Sequence, residues 1–234
     1  MSDPRVCIIV PCYNEEKNIE PTLREIREHY PQGKIVVIDD GSLDRTFEAA
    51  KQLKVQVVRL PFNLGIGGAV QTGYQVAAKE GFDIAVQMDG DGQHPAESLN
   101  ALIQPVLNQE VDMSIGSRFL NKQGFQSTFL RRIGIRFLST LLNLLTGLKL
   151  TDPTSGFRAV NRKIIQQFAD YYPVDYPEPE SILIAHQSGF RIGEIGVQMK
   201  ERWQGRSSID ALHSIYYMVK VTFAILLRKM KKGS

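Results

Sequence analysis

The chain has 234 residues, of which 43% are hydrophobic and 23% charged, with 11 prolines spread along its length. This composition excludes the disordered and fibrous classes and suits one large domain with a proper core. The net charge of +3 is small but unevenly placed: from Met113 to Thr151 there is no acid, while Arg118, Lys122, Arg131, Arg132, Arg136 and Lys149 are present, and after Asp210 five further bases face no acid, a distribution that suits an anionic partner such as a phosphate or a membrane surface.

The N-terminal stretch MSDPRVCIIVPCYN carries an early acid and an apolar core too short for a signal peptide. Cys7 and Cys12 close the two ends of one predicted strand and form neither a disulfide framework nor a zinc spacing, which predicts a reduced, cytoplasmic protein. Short runs rich in Val and Ile at 6–13, 34–40, 55–60, 83–89 and 113–118 read as strands, several of them apolar on both faces. Between them, 16–30, 44–53, 65–80 and 95–109 have helical spacing. Strand alternating with helix predicts an α/β fold with a mostly parallel sheet flanked by helices.

The second half changes character. Residues 129–150 predict an amphipathic helix with Leu130, Ile133, Phe137, Leu141, Leu145 and Leu148 on one stripe and Arg132, Arg136, Ser139 and Asn143 on another. A turn-rich TDPTSGFR, a proline-rich loop YPVDYPEPE, a helix near 178–188, a strand pattern over 190–200 and a terminal helix over 209–230 follow. Neither long helix has the uninterrupted apolar run of roughly 18 residues that a membrane span needs.

Ligands of such sheets bind beyond the carboxyl ends of the strands. Three of those ends carry acids, Tyr13-Asn14-Glu15, Asp39-Asp40-Gly41-Ser42 and Asp89-Gly90-Asp91, so the expected site is acidic and suits a metal better than a bare phosphate. In VQMDGDGQHP, residues two apart in an extended chain face one side, which would aim Asp89 and Asp91 at a single ion. Mg²⁺ or Mn²⁺ takes such oxygen ligands and completes its shell with water and substrate phosphates. Gln93 and His94 are candidates for a further ligand or a supporting role; the plainer alternative is a polar turn that uses Asp and Gly for its geometry. Asp39 and Asp40 could accept hydrogen bonds from a base or ribose, or one of them could simply cap the following helix. NLGIGGAVQTG lacks the third glycine of a dinucleotide fingerprint, so no nicotinamide cofactor is expected. Arg118, Arg132 and Arg136 could converge on a phosphate; the commoner reading is a solvated helix face. No nucleic-acid motif is present.

In their order, IIVPCYNEEKNI, VVIDDGSLDRT, NLGIGGAVQTG, VQMDGDGQHP, GSRF, RRIGIRFLSTLLNLLTG, DPTSGFRAVNR and ERWQGRSSI resemble the family 2 glycosyltransferases, and within them the dolichol-phosphate mannose synthase-like branch that moves sugars onto polyprenyl phosphates. The resemblance covers residues 6–210. It implies a GT-A fold, a nucleotide-diphosphate sugar donor, Mg²⁺ or Mn²⁺, inversion at the anomeric carbon and a polyprenyl phosphate acceptor. Residue by residue it places Pro11, Tyr13, Glu15 and Asp39 or Asp40 on the nucleoside, Asp89, Asp91 and Gln93 on the metal, and Arg118, Arg132, Arg136 and Arg202 around the acceptor phosphate. The segment 155–158 would shape the sugar pocket. The motif fillings DGDGQHP and Ser207-Ser208 depart from the branch's usual ones and favour a UDP-sugar over GDP-mannose.

A lipid phosphate is already an anionic nucleophile; a sugar hydroxyl would need a carboxylate base, for which Glu178 and Glu180 are the candidates. A third alternative is a non-catalytic nucleotide-sugar-binding subunit. The expected division is a catalytic domain over 1–210 and a basic amphipathic helix over 211–234, lying at the cytoplasmic membrane face or docking on a small membrane protein.

Overall fold

In the computed structural model, residues 4–121, 124, 129–175, 177–201 and 220–225 are described. The first strand, β1 (Val6–Cys12), shows how the sheet is built. Val6, Ile8 and Val10 pack on one face with Ile19, Leu23 and Ile26 of α1 (Ile19–His29), while Cys7 and Ile9 pack on the other with Val70, Tyr74 and Ala77 of α3 (Gly65–Lys79). A strand apolar at every position alternates between two cores, and that demands helices on both sides.

Seven strands complete the sheet in the order β3-β2-β1-β4-β6-β5-β7, with β2 (Lys34–Asp39), β3 (Gln56–Arg59), β4 (Ile84–Gln87), β5 (Met113–Ser117), β6 (Arg158–Asn161) and β7 (Ile192–Gly196). Helices α1, α2 (Thr46–Gln52) and α4 (Leu99–Leu107) supply one core; α3, α6 (Arg162–Asp170) and α7 (Pro177–Gln187) supply the other. All pairings are parallel except those of β6, which runs antiparallel to both neighbours.

Two elements escape the sequence pattern. β6 is only four residues long and begins with a buried arginine inside what reads as a turn-rich stretch. Helix α6 follows at once, with the Asn161 side chain accepting the Ile164 N–H at 3.1 Å as its N-cap. The segment read as a proline-rich loop becomes helical from Pro177, two prolines fitting the first turn, where N–H groups need no helical partner.

Helix α5 (Phe129–Thr146) corrects the predicted stripe. Its buried residues are Ile135, Leu138 and Leu142; of the predicted stripe, Leu141, Leu145 and Leu148 are partly buried against the cores, Ile133 and Phe137 are about half exposed, and the side chain of Leu130 lies outside the described residues. The helix is apolar on more than one side, and hydrogen bonds decide the face. Ser139 and Asn143, expected on the polar stripe, both donate to the Leu150 carbonyl, and Asn143 also accepts the Leu150 N–H at 2.9 Å. Leu138 and Leu142 then pack with Leu183 of α7 and with Val221 and Ile225 of the helical piece at 220–225. The expected boundary near 210 lies outside the described residues.

Close approach of α3 to the chain leading into α7 depends on Gly67. A Cβ there would stand 2.2 Å from the carbonyl oxygens of both Pro173 and Val174. Gly67→Ala should therefore destabilise the protein by about 2 kcal/mol, overpacking outweighing the gain in helix propensity of about 1 kcal/mol. Urea denaturation measures this; a midpoint equal to wild type would mean that the 173–174 backbone gives way freely.

Candidate active site

Parallel pairing in register brings the carboxyl ends of β1 and β2 together, Cys12 opposite Asp39, and the Asp40 N–H closes on the Cys12 carbonyl at 2.9 Å. The loops that follow are woven into each other. Asn14, at φ 55°, gives its N–H to Ser42 Oγ and accepts the Leu43 N–H; the Glu15 N–H reaches Thr46 Oγ1 at 2.7 Å. The N-cap of α2 is Arg45, which makes no side-chain cap; the Asp44 carboxylate just before it accepts the Thr46 N–H at 3.0 Å, and neither Asp39 nor Asp40 caps the helix.

Asp39 is fully buried, accepting the Ser42 N–H and lying 3.3 Å from Arg59, which itself packs over Phe47. Asp40 accepts the Leu64 N–H at 2.7 Å, and burial raises its pKa. Glu15 is buried with Asn18 donating to it, Tyr13 is 41% exposed at the mouth, and Pro11 contributes its carbonyl, which accepts the Gly90 N–H at 3.1 Å. Of the expected nucleoside group, only Tyr13 offers much surface.

Next to these, β4 ends at Gln87, so Asp89 and Asp91 sit in a turn and strand alternation does not align them as expected. The turn brings the two close enough that the Asp89 charge raises the pKa of Asp91, after burial as the larger cause. Asp89 is pushed up to about 6, first by burial, with the Gln87 amide and the charges of Arg158 and Arg118 opposing. Asp89 Oδ1 is buried without a hydrogen-bond partner. The Gln93 N–H donates to Asp91 Oδ1 at 3.0 Å, and Gly92 takes the left-handed φ of 79° that the turn requires. The Asp89 N–H donates to His94 Nδ1 at 2.9 Å; His94 is buried, stacked on Phe157 and held neutral, its pKa pushed down to about 4 by burial.

Beneath the pair runs the segment 152–158. A Cβ on Gly156 would stand 3.4 Å from both Asp89 oxygens and 2.9 Å from Gln87 Nε2, so the missing side chain makes the space in which the carboxylate sits. Arg158, opposite Gln87 in the antiparallel register, is 1% exposed. It donates to the carbonyls of Pro153, Ser155 and Glu178 and to Ser181 Oγ, between 2.6 and 2.9 Å. Arg118 binds the buried Asp152 through Nε and Nη2, at 2.6 and 2.7 Å, and reaches Thr154. Glu194 of β7 accepts the N–H groups of Thr151 and Asp152 and the Thr151 hydroxyl.

The remaining expected residues divide. Glu178, at the start of α7, lies within electrostatic reach of both Asp89 and Arg158, and burial raises its pKa. Glu180 instead lines a cavity of about 170 Å³ with Tyr171, Asp175 and Lys220, apart from the carboxylate pair. Arg136 is exposed and Arg132 partly so on α5, and Arg202 lies outside the described residues. Asp152, Arg158 and Glu194, which organise the site's floor, were not singled out as a supporting network by the sequence; a buried polar residue's partners are remote in the chain, and only the short TDPTSGFR motif flagged two of them.

Chemically, two crowded carboxylates with raised pKa values and an unpartnered buried oxygen are what a divalent cation would relieve. Among the described residues no group of three or more His, Cys, Asp and Glu could enclose an ion. A bound ion would therefore depend on Asp89, Asp91, the Gln93 amide and oxygens brought by substrate and water, the arrangement typical of Mg²⁺ and Mn²⁺ with phosphates.

The chain matches the family model described as Glycosyl transferase family 2 over residues 7–168. It is 32% identical over 218 residues to the UDP-N-acetylglucosamine--dolichyl-phosphate N-acetylglucosaminyltransferase of Methanococcus voltae, covering 85% of this chain and 86% of that one. The polyprenol monophosphomannose synthase of Mycolicibacterium smegmatis is 29% identical, with 93% and 85% covered. Among solved structures, glucosyl-3-phosphoglycerate synthase from Mycobacterium tuberculosis, in complex with Mn²⁺, UDP-glucose and glycerol 3-phosphate, superposes with a TM-score of 0.73 at 21% identity, covering 97% of this chain and 80% of that one. The architecture is thus the expected GT-A fold, and the chain belongs to glycosyl transferase family 2, in the branch of the polyprenyl-phosphate enzymes, as a glycosyltransferase.

Proposed function

We propose that the chain transfers a sugar from a nucleotide-diphosphate sugar, a UDP-sugar in preference to GDP-mannose, to a polyprenyl phosphate, with inversion and with Mg²⁺ or Mn²⁺ bound. The observation that carries this reading is the Asp89–Asp91 turn, where two carboxylates are crowded, desolvated and supplied with no cation of their own by hydrogen bonding. Support for the acceptor comes from the names of the Methanococcus voltae and Mycolicibacterium smegmatis relatives, and support for uridine from the Methanococcus voltae name alone.

In this reading Asp89, Asp91 and Gln93 hold the ion, which when bound offsets the negative charge growing on the departing nucleotide diphosphate. Tyr13, Glu15, Asp39 and Asp40 shape the nucleoside end, Gly156 leaves room beside Asp89, and Arg158 supplies fixed positive charge beneath both. Arg132, Arg136 and Arg202 meet the acceptor phosphate. Arg118, held by Asp152, adds charge near the pair and takes a positioning part in that group. A phosphate acceptor needs no base, so the chain's task is alignment.

The non-catalytic alternative loses its support with membership of the enzyme family. A hydroxyl acceptor remains as a second reading because Glu178 has the raised pKa and the nearness to Asp89 that a general base requires, whereas Glu180 does not share that position. Glu178→Gln separates the two. Label transfer into polyprenyl phosphate should fall less than about tenfold, while a hydroxyl-acceptor enzyme should lose on the order of 10²-fold or more.

Docking at the cytoplasmic membrane face is part of the proposal. No helix among the described residues is long and apolar enough to cross a membrane. Helix α5 instead leaves Ile133, Phe137 and Leu144 exposed on a segment that carries arginines and no acid, and Phe223 is exposed on the neighbouring helical piece. Replacing Ile133 and Phe137 together by Ser should cut co-sedimentation with anionic vesicles several-fold and raise KM for a long-chain acceptor more than for a short, soluble one; unchanged vesicle binding would remove this face from the docking surface.

The raised carboxylate pKa values predict how metal affinity depends on pH. With Asp89 titrating near 6 in the fold against 3.8 ordinarily, its ionised form is disfavoured in the free protein, so its contribution to stability declines as pH rises from about 4 through 6. Bound metal reverses that penalty by displacing the proton. Calorimetric Mn²⁺ titrations should show affinity falling as pH drops from 7 to 5, with protons released in increasing number below pH 6.5. A flat profile over that range would take the carboxylates out of the metal's shell.

A further inference from the structure

The Asp89–His94 turn is held on every side by main-chain hydrogen bonds that leave the Asp89 carboxylate alone. The Met88 N–H reaches the Ile9 carbonyl and the Gly90 N–H the Pro11 carbonyl, both in β1; the Lys200 N–H reaches the Gln93 carbonyl at 2.9 Å. Asp89's own N–H lies between these anchors, and its acceptor is a side chain, His94 Nδ1, at 2.9 Å. A neutral imidazole has one acceptor nitrogen and one donor nitrogen. With Nδ1 accepting, Nε2 carries the hydrogen and has no lone pair to offer an ion. Nε2 lies 3.7 Å from Asp89 Oδ2, beyond hydrogen-bond reach, so it does not occupy that oxygen either. The ring cannot easily turn over, being 6% exposed and stacked on Phe157 with centroids 5.1 Å apart and planes at 27°.

We propose that His94 is a positioning residue for metal binding: as a neutral imidazole clamped on Phe157, it fixes the Asp89 main chain from inside the turn while leaving both Asp89 carboxylate oxygens to the ion. The inference rests on the proposed metal site at Asp89 and Asp91. It assigns His94 no place among the metal's ligands, although the residue follows Gln93 directly and its type is a common ligand. Groups that orient a metal's ligands typically affect affinity by ten- to a hundredfold when removed.

Three substitutions isolate the role. In His94→Asn the side-chain oxygen can take the place of Nδ1 and accept the Asp89 N–H; His94→Gln carries its polar end one bond further out; His94→Phe keeps a ring against Phe157 and loses the acceptor. Mn²⁺ affinity, by calorimetry and by the free-ion electron paramagnetic resonance signal, should stay within about threefold of wild type in His94→Asn and weaken about tenfold or more in His94→Gln and His94→Phe. Far-ultraviolet circular dichroism and melting without metal identify any variant that fails to fold, and the Asn and Gln pair suffices if the Phe variant does. Pulsed electron paramagnetic resonance of Mn²⁺ on the wild type should show no nitrogen bound directly to the metal. Directly bound nitrogen that disappears in His94→Asn would make His94 a ligand and overturn the proposal, as would wild-type Mn²⁺ affinity in His94→Gln with its fold intact. Asp89→Asn serves as the reference. If it binds Mn²⁺ as the wild type does, the metal site itself is misplaced and the proposal goes with it; if it abolishes binding, the His94 series tests positioning alone.

Discussion

A charge with no acid beside it organises this protein. Arg158 is buried at the first position of the antiparallel strand, and among the described residues no carboxylate lies within ion-pair distance of it. Desolvating a guanidinium costs several kcal/mol, recovered only if its donors are well met. Three carbonyls and a serine hydroxyl meet them, drawn from the 153–155 turn and the start of α7, so satisfying one cation fixes two segments at once. Its remaining electrostatic demand is answered through space by Asp89 and Glu178, whose ionised forms it favours. The floor of the site and its acidity are thus two sides of the same constraint.

Above that floor the site divides into a rigid rim and an open pair of oxygens. Hydrogen bonds tie the loops after β1, β2 and β4 to one another and to the rest of the chain: Asn14 with Ser42 and Leu43, Glu15 with Thr46, Gly90 with Pro11, Gln93 with Lys200. Asp89 Oδ1 is among the buried side-chain oxygens left without a hydrogen bond, with Gln87 Oε1 beside it in sequence and Asp39 Oδ2 at the end of β2. Preorganisation of this kind places the cost of crowding two carboxylates in folding, so it need not be met when the ligands arrive.

The strands with apolar residues on both faces could be read directly, because a fully buried parallel strand has few alternatives as a run of Val and Ile. The acids at their ends were legible for the same reason, since topology sends those ends to one edge. What stayed hidden was whatever depends on partners far away in the chain. β6 carries an arginine where a strand pattern expects an apolar residue, and the carbonyls of residues 153, 155 and 178 together with the Ser181 hydroxyl make that tolerable. Arg118 read as a phosphate ligand because nothing nearby in sequence neutralises it, yet Asp152 takes it bidentately and Glu194 braces the main chain of Asp152. The buried face of α5 differs from the predicted stripe by a fraction of a turn because three inward hydrogen bonds to Leu150 outweigh a small difference in hydrophobicity between faces.

The ion-pair cluster at Lys200 has a consequence for assembly. Its ammonium reaches Glu25 of α1, 175 positions earlier, and Glu97 before α4, while its N–H holds the Gln93 carbonyl. Contacts between such distant positions close very large loops, and because that closure entropy must be met before the contact contributes, they form late. During synthesis, α1 and the Asp89–Gln93 turn emerge long before the residue that secures them. This edge of the sheet is therefore left unlatched through most of translation and is closed from the far end of the chain, so that a truncated product would retain much of the core without a fully secured Asp89–Gln93 turn.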